Sequence, residues 1–398
     1  MYLTNLAVVT IENDVLVLFR ETNCNNFMKS RRDFLLKIGG SALTLPLVSA
    51  LTPAQAAVLP ETSPVADKQL RVVLVGLGSY AERVATAMKD CKIAKLVGGV
   101  TGTPEKVGKW SDKFGLDKAN FYDYKDFEKI KDNPNIDAVY ITLPNSMHHE
   151  YTLRAAKMGK HVICEKPMSV SVKQAQEMIA ACKKANVKLY IGYRLHFEPY
   201  TRELIRMRES GELGKIMHVN TYDGFKSGNP NQWRLKKALA GGGALMDVGI
   251  YCINGARYAT GEEPIWVSAE EAKTDPIKFK EVDETVTWQM GFPSGVIASC
   301  STTYNFNNFE RLYVIGEKGF VELGPAFGYG PIKGRTHKGE MSWDTTKMHQ
   351  TWQMDGMADC ILNGKPEPNI SGEEGLKDMK VIEAIYKSIA AGGKKVPV

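Results

Sequence analysis

Short apolar runs alternate with amphipathic segments through the first half of the chain that follows residue 69. Five of these runs are typical of strands: Arg71–Gly76, Leu96–Val100, Ala138–Leu143, His161–Glu165 and Lys188–Gly192. The segments between them have the apolar spacing of helices. Because strands that alternate with helices pair in parallel through crossovers, the pattern predicts an α/β domain with a doubly wound parallel sheet over residues 70–192.

The pattern changes after residue 192. Helical segments at 198–209 and 244–258 are followed or joined by a series of strand-like runs: Lys215–Tyr222, Ile265–Ala272, Glu284–Phe292, Gly295–Thr302, Arg311–Ile315 and Gly319–Leu323. Short glycine turns such as residues 292–295 favour an open, mostly antiparallel sheet with helices on one face. We therefore predict a second, α+β domain over residues 193–398. The pattern leaves open on which of the two domains the last helix, 372–391, packs.

The first 69 residues have the pattern of an export signal. Residues 28–57 read MKSRRDFLLKIGGSALTLPLVSALTPAQAA, with a basic start, a modestly apolar stretch and a small-residue A-x-A site at 54–56. Residues 30–35 are similar to the twin-arginine motif. We predict a twin-arginine-type signal peptide at 28–56, a mis-assigned start at 1–27, a short arm at 57–69 and a periplasmic location. A helix cap before a core helix is the weaker interpretation.

Composition narrows the classes of partner. The chain has 51 Lys+Arg and 45 Asp+Glu residues, a formal net charge of +6 that is spread along the chain without basic blocks, which argues against nucleic-acid binding. No run of about 18 uninterrupted apolar residues is present, so we predict no membrane-spanning helix. The six cysteines after the signal have no C-x-x-C spacing, which favours buried thiols over a disulfide framework or a metal site.

A glycine-rich turn follows the first predicted strand. Gly76, Gly78, Ser79, Tyr80 and Ala81 form a G-x-G-x-x-A motif that opens a helix. Glycines in this context let the backbone approach a pyrophosphate at the helix N-terminus. A plain strand-to-helix turn is the alternative interpretation, but the βαβ context favours a dinucleotide cofactor.

The end of the second strand bears on which dinucleotide binds. NAD-binding versions of this fold place a carboxylate there to hold the ribose 2′-hydroxyl. This chain has no carboxylate at the strand tip and offers Thr101, Thr103 and Lys106 instead. The sequence therefore favours NADP over NAD, with an ordinary polar loop as the alternative.

Two further segments offer chemistry at the same sheet edge. Glu165, Lys166 and Pro167 close the strand at 161–165, which places Lys166 near the nicotinamide. Three glycines at 241–243 precede a helix on which Asp247 and Tyr251, at i and i+4, share one face. A lysine ammonium stabilises the ionised form of a neighbouring phenol, which suits Tyr251 for exchanging the proton of a sugar hydroxyl. A solvated lysine, a satisfied buried acid and a core tyrosine are the alternative interpretations.

These segments together carry a resemblance to a known family. The stretches are VGLGSYA, YDYKDF, IDAVYITLPNSMHHE, GKHVICEKPMSVS, IGYRLHFEP, QWRLKKALAGGGALMDVGIYCINGARY and GEEGLKDMKVIEAIY. In this order they resemble the Gfo/Idh/MocA oxidoreductases, and most closely the glucose-fructose oxidoreductase branch, over about residues 70–398. The resemblance implies a Rossmann domain followed by an open-faced sheet domain for substrate binding and oligomerisation.

The resemblance also implies roles for individual residues. It assigns catalysis to Lys166, Asp247 and Tyr251. It places Arg194, His196 and Tyr329 in the substrate pocket, and domain positioning at Trp233 and Arg234. Besides the glycine motif and the threonines and lysine above, it assigns cofactor contacts to Pro144, Asn145, His148, Glu165 and Lys166.

The function that these implications suggest is an exported, NADP-dependent sugar oxidoreductase. The expected reaction oxidises an aldose to an aldonolactone and reduces a ketose to a polyol through one retained NADP. The alternatives are an aldose 1-dehydrogenase or sugar reductase that exchanges free cofactor, and a non-catalytic sugar or nucleotide sensor. Family members commonly form dimers or tetramers, so we expect a homo-oligomer with small-molecule sugars as its other partners.

Overall fold

The computed structural model describes residues 68–366 and 368–398. The predicted start, signal peptide and most of the arm lie outside these residues. The first sheet has six parallel strands in the order β3-β2-β1-β4-β5-β6. They are β1 (Leu70–Val75), β2 (Ala94–Val100), β3 (Phe121–Tyr122), β4 (Ala138–Ile141), β5 (His161–Cys164) and β6 (Leu189–Ile191). This confirms the predicted doubly wound parallel sheet.

Four helices cover the faces of this sheet. They are α1 (Ser79–Met88), α2 (Pro104–Phe114), α3 (His148–Lys157) and α4 (Val172–Lys184). β1 and β4 are almost entirely buried, which explains their nearly continuous apolar sequences, because a strand covered on both faces needs no polar alternation. The strand order reverses between β1 and β4, and ligands of such sheets bind at that switch point, beyond the carboxyl ends of the strands.

The second sheet has nine strands in the order β14-β13-β12-β11-β7-β10-β9-β8-β15. They are β7 (Ile216–Gly224), β8 (Trp266–Ala272), β9 (Thr285–Gly291), β10 (Ile297–Thr303), β11 (Phe309–Gly316), β12 (Gly319–Leu323), β13 (Gly334–Thr336), β14 (Gly339–Met341) and β15 (Val396–Pro397). All neighbours are antiparallel except β7 and β10. The mostly antiparallel sheet is therefore confirmed, whereas the three short strands β13, β14 and β15 were not predicted.

Five further helices follow the parallel sheet along the chain. They are α5 (Pro199–Glu209), α6 (Lys237–Ala240), α7 (Ile250–Thr260), α8 (His349–Asn363) and α9 (Gly372–Ala390), and a π-helical turn, Leu245–Gly249, leads into α7. α8 was not predicted. Its sequence mixes buried polar and apolar residues, so it lacks the periodicity that marks a surface helix.

Both of the last two helices pack on the parallel sheet, and α9 also contacts the second sheet. On α8, the Asp355 carboxylate accepts backbone N–H groups of residues 92–94, at the start of β2, at 2.8–3.1 Å. On α9, Glu383 accepts the N–H of Val172 at the start of α4, and Ser388 accepts the N–H of Ala269 in β8. The C-terminal part of the chain therefore fixes the two sheets to each other and does not serve the second sheet alone.

The six cysteines of the described residues are free, and all but Cys91 are buried. None of the helices in the described part is both long and apolar enough to cross a bilayer.

Candidate active site

A cleft of about 430 Å³ lies at the carboxyl edge of the parallel sheet. The turn after β1 forms its floor. Gly76 has φ of +92°, and a Cβ at this position would lie 2.7 Å from Leu143 Cδ2. A Cβ on Gly78, by contrast, would meet no protein atom within 4 Å. The first glycine is therefore required by the turn itself, and the second leaves room for a ligand to approach the backbone.

Nearly all the residues predicted to contact the cofactor line this cleft: Gly76, Gly78, Ser79, Tyr80, Thr101, Thr103, Lys106, Pro144, Asn145, His148, Glu165 and Lys166. Ala81 does not line it. That residue is 1% exposed and belongs to the core under α1, where a small side chain lets the helix pack closely on the sheet.

One end of the cleft, at the tip of β2, fits a ribose phosphate. The Thr101 hydroxyl accepts the Thr103 N–H at 3.2 Å, and Lys106 Nζ donates to the Leu77 carbonyl at 2.8 Å. Lys106 thus reaches across to the glycine turn. Within the described residues that line this end, the only charged side chain is this lysine, so the surroundings suit the extra phosphate of NADP better than a bare ribose diol.

Two predicted cofactor contacts also hold the walls of the cleft together. The buried His148 ring lies 2.9 Å from the carbonyl oxygens of Leu143 and Pro167 through its two nitrogens. Burial lowers the pKa of His148, so the ring is neutral and donates to one of these carbonyls at a time. Asn145 Nδ2 donates to the Ala240 carbonyl at 2.9 Å. These bonds tie the loop after β4 to the loop that carries Lys166 and to the segment before the triple glycine.

Lys166, Asp247 and Tyr251 converge at the inner end of the cleft. Lys166 Nζ lies 3.1 Å from Asp247 Oδ1 and also donates to the Asp247 carbonyl. The same ammonium lies 4.8 Å from the centre of the Tyr251 ring. Asp247 belongs to the π-helical turn and Tyr251 to the first turn of α7, and π-turns within helices are frequent at functional sites.

The triple glycine brings this helix close to its neighbours. A Cβ on Gly242 would lie 2.0 Å from the Tyr386 hydroxyl, and one on Gly243 would lie 2.0 Å from the Asp283 carbonyl oxygen. The Asp283 carboxylate accepts the N–H groups of Gly243 and Leu245 at 2.7 and 2.8 Å. The glycines therefore allow close packing, which fixes the position of the π-helical turn that carries Asp247.

Both oxygens of the Asp247 carboxylate are occupied. Oδ1 faces Lys166, whereas Oδ2 accepts the Tyr304 hydroxyl at 2.8 Å and pairs with Arg234 Nε at 3.0 Å. Burial alone would raise the pKa of Asp247, but the charges of Lys166 and Arg234 and the Tyr304 hydrogen bond lower it to about 2. Asp247 is therefore a fixed anion that holds Lys166 and does not exchange protons near neutral pH.

A second cation faces Tyr251. Arg194 is 1% exposed, and its guanidinium carbon lies 5.0 Å from the Tyr251 ring centre and 4.6 Å from that of Tyr329. It donates to the Gly328 carbonyl at 3.0 Å and to His349 Nδ1 at 2.8 Å. Burial and the charges of Arg194 and Arg83 lower the pKa of His349 to about 3, so this histidine, which the sequence analysis missed, is a neutral acceptor that holds Arg194.

His196 lies elsewhere, which corrects the predicted substrate contact. It is 3% exposed, contributes to neither cavity of the site, and is hydrogen-bonded to the Tyr258 hydroxyl with ring centres 4.2 Å apart. Arg194 and His196 are two residues apart in a 3₁₀ turn, and three residues make one turn, so their side chains point to different sides.

A second cavity of about 410 Å³ adjoins the cleft and shares Lys166, Arg234, Asp247 and Tyr329 with it. Its remaining walls come largely from the second sheet and the loops beside it. Two carboxylates in these walls, Asp223 on β7 and Glu310 on β11, were not predicted. A signal was present in the sequence, because each acid continues a row of alternate, otherwise apolar or hydroxyl positions of its strand.

Arg234 has a more direct place than domain positioning, because it pairs with Asp247 and lines both cavities. Trp233 lines the cofactor cleft beside it. Within the described residues there is no group of three metal-ligating side chains. The arrangement is that of a dinucleotide cleft and a polar substrate cavity that meet at a lysine, an anchored carboxylate and a tyrosine.

Comparison with known proteins gives two family matches along the chain. Residues 70–193 match the GFO_IDH_MocA model, described as an oxidoreductase family with an NAD-binding Rossmann fold, and residues 201–322 match the GFO/IDH/MocA C-terminal domain. A curated relative from Haloarcula marismortui, D-xylose 1-dehydrogenase [NADP(+)], is 30% identical over 335 residues, which cover 81% of this chain and 91% of the relative.

Solved structures agree with these matches. The crystal structure of aldose-aldose oxidoreductase from Caulobacter crescentus, complexed with glycerol, is 43% identical with a TM-score of 0.80, and the alignment covers 83% of this chain and 100% of that one. A levoglucosan dehydrogenase in complex with NADH and levoglucosan has a TM-score of 0.71 at 24% identity, with 83% and 100% of the chains covered, which supports the fold alone.

Proposed function

The chain belongs to the Gfo/Idh/MocA oxidoreductase family, and on this premise we propose that it is an NADP-dependent sugar oxidoreductase that oxidises the anomeric carbon of an aldose to a lactone. The observation that carries the proposal is the convergence of Lys166, Asp247 and Tyr251 where the cofactor cleft meets the polar cavity. The names of the similar D-xylose 1-dehydrogenase and aldose-aldose oxidoreductase support an aldose as the substrate.

The residues of the cleft fit the cofactor. The open space above Gly78 would admit the pyrophosphate, and Lys106 with the two threonines at the tip of β2 would hold the 2′-phosphate. Lys166 and Glu165, which line the same cleft, would contact the nicotinamide. NADP supplies the acceptor for the hydride that leaves the sugar carbon.

In this proposal Tyr251 removes the proton of the anomeric hydroxyl. As the C–H bond breaks with its electron pair, the hydroxyl proton passes to the oxygen of the ionised Tyr251 side chain and the C=O bond of the lactone forms, so one hydride and one proton leave the sugar and Tyr251 becomes a neutral phenol. Negative charge on the phenol oxygen is stabilised by two cations at its ring, Lys166 and Arg194. Asp247, held ionised by Arg234 and Tyr304, keeps Lys166 in place.

We further propose that the protein is exported to the periplasm, forms a homo-oligomer and retains its NADP. The twin-arginine-type sequence at 28–56 supports export of a folded, loaded protein. A second sugar, a ketose, would then be reduced to a polyol: its carbonyl carbon takes the hydride and its oxygen takes the proton that Tyr251 removed from the aldose. The relative named aldose-aldose oxidoreductase supports a reaction between two sugars.

A second candidate function is an aldose 1-dehydrogenase that exchanges free NADP. The similarity to a D-xylose 1-dehydrogenase [NADP(+)] favours it. The two candidates share the oxidation step and differ in whether the cofactor leaves between turnovers.

The test is the near-ultraviolet spectrum of the purified, exhaustively dialysed protein, to which glucose and then fructose are added. A reduced-nicotinamide band that appears with glucose and disappears with fructose supports the retained cofactor. An empty protein that reduces added NADP with an aldose supports the dehydrogenase. Absence of any band across a panel of aldoses, with NADP added, contradicts the sugar oxidoreductase.

A further inference from the structure

Asp223 occupies an unusual position for a carboxylate. In β7 the side chains of Val219, Thr221 and Asp223 lie on one face of the sheet, and all three residues are buried. Asp223 is the last of this row, is 6% exposed and lines the substrate cavity. Acids are almost never this buried unless they are paired.

A second acid stands directly across from it. In the register of β7 and β11, Asp223 is opposite Glu310, whose side chain also lines the cavity. Like charges directly opposite each other in a sheet are destabilising. A strand pair that served only the fold would not keep two acids here, so this juxtaposition indicates a function.

The two acids differ in what they bind. Glu310 accepts the backbone N–H groups of Phe327 and Gly328, and so holds the loop that leads to Tyr329. The side-chain carboxyl of Asp223 makes no hydrogen bond or ion pair with any residue that the structure describes, whereas its backbone belongs to the sheet. Burial raises the pKa of Asp223 well above its usual range, the charge of Glu310 adds to this effect, and Lys166 and Arg194 oppose it. Asp223 is therefore a carboxyl group without a protein partner, directed into the cavity.

A buried carboxyl without a partner is stabilised by a ligand that supplies one. The charges of Lys166 and Arg194 reach it, so it belongs to the same site as Tyr251. A carboxyl that retains its proton both donates and accepts hydrogen bonds, as a sugar hydroxyl does. The complementary ligand group is thus a hydroxyl, presented by the part of the sugar that faces β7 and β11.

We propose that Asp223 is a specificity-determining residue, which binds a hydroxyl of the sugar other than the anomeric one while Glu310 holds the adjoining loop. The proposal rests on the proposed function and deepens it. It restricts the substrate to sugars that carry a free hydroxyl at that position. Asp223 acts on substrate choice and takes no part in proton exchange with the anomeric hydroxyl.

The test compares kcat/KM for the parent aldose with that for a set of monodeoxy analogues, each lacking one hydroxyl. In the unmodified protein we expect one analogue to lose about 10- to 100-fold in kcat/KM, because the deoxy position leaves Asp223 unpaired. In Asp223→Ala the same analogue should lose less than about threefold relative to the parent sugar, because the contact is already absent. Asp223→Asn, whose amide donates and accepts, should retain more of the discrimination than the alanine variant.

Thr221→Val is the matched control. It changes a fully buried polar side chain on the same face of β7, two residues before Asp223, without changing the cavity lining. We expect this variant to discriminate among the deoxy sugars as the unmodified protein does. A change in Thr221→Val as large as that in Asp223→Ala would mean that distortion of the strand, and not the lost carboxyl, sets the discrimination, and would overturn the proposal.

A stability measurement separates a binding role from a structural one. Without sugar, Asp223→Asn and Asp223→Ala should raise Tm, because each removes a buried acid that has no partner and stands opposite Glu310. A fall in Tm of both variants with unchanged deoxy-sugar discrimination overturns the proposal. Absence of aldose turnover in the unmodified protein overturns the proposed function as well, whereas unchanged discrimination in a protein that does oxidise aldoses overturns the role of Asp223 alone.

Discussion

The cofactor cleft and the substrate cavity are of similar size and meet at Lys166, but they are built from different kinds of structure. The cleft consists mainly of loops that follow the strands of the parallel sheet, and its decisive feature is backbone shape at Gly76 and Gly78. The cavity is walled largely by charged and aromatic side chains from two strands, a helix and the loops beside them. Backbone shape is therefore decisive at the glycine turn of the cleft, whereas side chains define the cavity.

Because of this difference, different substitutions should damage the two parts of the site: added bulk in the cleft and lost charge in the cavity. In the cleft, a side chain added at Gly78 would block the approach of a ligand without removing any polar contact of the protein. In the cavity, replacing a charged side chain would alter the charges around Tyr251 and Asp247, because Lys166, Arg194 and Arg234 all lie beside these two residues. Each prediction below tests one side of this comparison.

The largest effect is expected for Tyr251→Phe. Loss of the phenol oxygen should reduce kcat for aldose oxidation by about 10²- to 10⁴-fold, the range of a general base. The ring that stacks on Phe327 at 6.2 Å remains, so the affinity for NADP should not change. The measurements are kcat by steady-state kinetics and the dissociation constant for NADP by fluorescence titration. A phenylalanine variant with full turnover would show that the proton leaves by another route.

The second prediction contrasts the two glycines of the turn. Gly78→Val adds atoms where the protein has none within 4 Å, so Tm should be unchanged while NADP affinity falls by about tenfold or more, because the backbone can no longer approach the pyrophosphate. Gly76→Ala, at φ of +92° and against Leu143, should lower the free energy of unfolding by about 1–3 kcal/mol.

Thermal unfolding and NADP titration of both variants distinguish these roles. If Gly78→Val lost as much stability as Gly76→Ala, the open space above Gly78 would belong to the fold and not to a ligand. If neither variant weakened NADP binding, the cofactor would lie elsewhere than over this turn.

The contrast between cleft and cavity also explains how far the sequence could lead. The parallel sheet was predictable because β1 and β4 are nearly continuous apolar runs bounded by turns. The glycine turn was predictable because a strand, a turn and a helix surround it, whereas the cofactor contacts at 144–148 and 165–166 were implied by the family resemblance. α8 escaped prediction because its inward face carries polar groups such as Gln353 and His349, so no apolar stripe marks it. β3 and β15, two residues each, are too short to carry a period.

The cavity was less predictable because its side chains come from distant positions. Asp223 and Glu310 meet only through the pairing of β7 with β11, and His349 reaches Arg194 from a helix 155 residues further along the chain. Sequence spacing carries no record of such encounters. His196 shows the converse error: the resemblance implied that it shares the substrate pocket with Arg194, but the 3₁₀ turn directs the two side chains to different sides.

The third prediction concerns the choice between NADP and NAD. Lys106→Ala removes the one cation at the tip of β2 that reaches the glycine turn. We expect the dissociation constant for NADP to rise about tenfold, because a charge-assisted contact to phosphate is lost, and that for NAD to remain unchanged. Lys109→Ala, on the same helix and outside the cleft lining, is the control. If the affinities for NADP and NAD fell equally, Lys106 would support the glycine turn and would not recognise the 2′-phosphate.

The smallest expected effect tests the charge balance in the cavity through pH. The pKa of Asp247 is about 2, below its ordinary value of 3.8, so the stability that its ionised form contributes is fully present above about pH 4 and is lost as the pH falls toward 2. Arg234→Met removes one of the two cations responsible, and should therefore lower the free energy of unfolding by on the order of 1 kcal/mol near pH 6. Between pH 4 and pH 2 this difference should shrink, because protonated Asp247 no longer needs Arg234.

Urea unfolding of both proteins at pH 6, 4, 3 and 2 measures this difference directly. Part of the difference in the free energy of unfolding should persist at all pH values. Arg234 also lies over the Trp233 ring, 4.5 Å from its centre, and methionine replaces that contact only in part. If the whole difference persisted unchanged to pH 2, Arg234 would act through packing alone. Lys166 and Tyr304 alone would then hold the Asp247 carboxylate, and the charge of Arg234 would contribute nothing to the stability of the cavity.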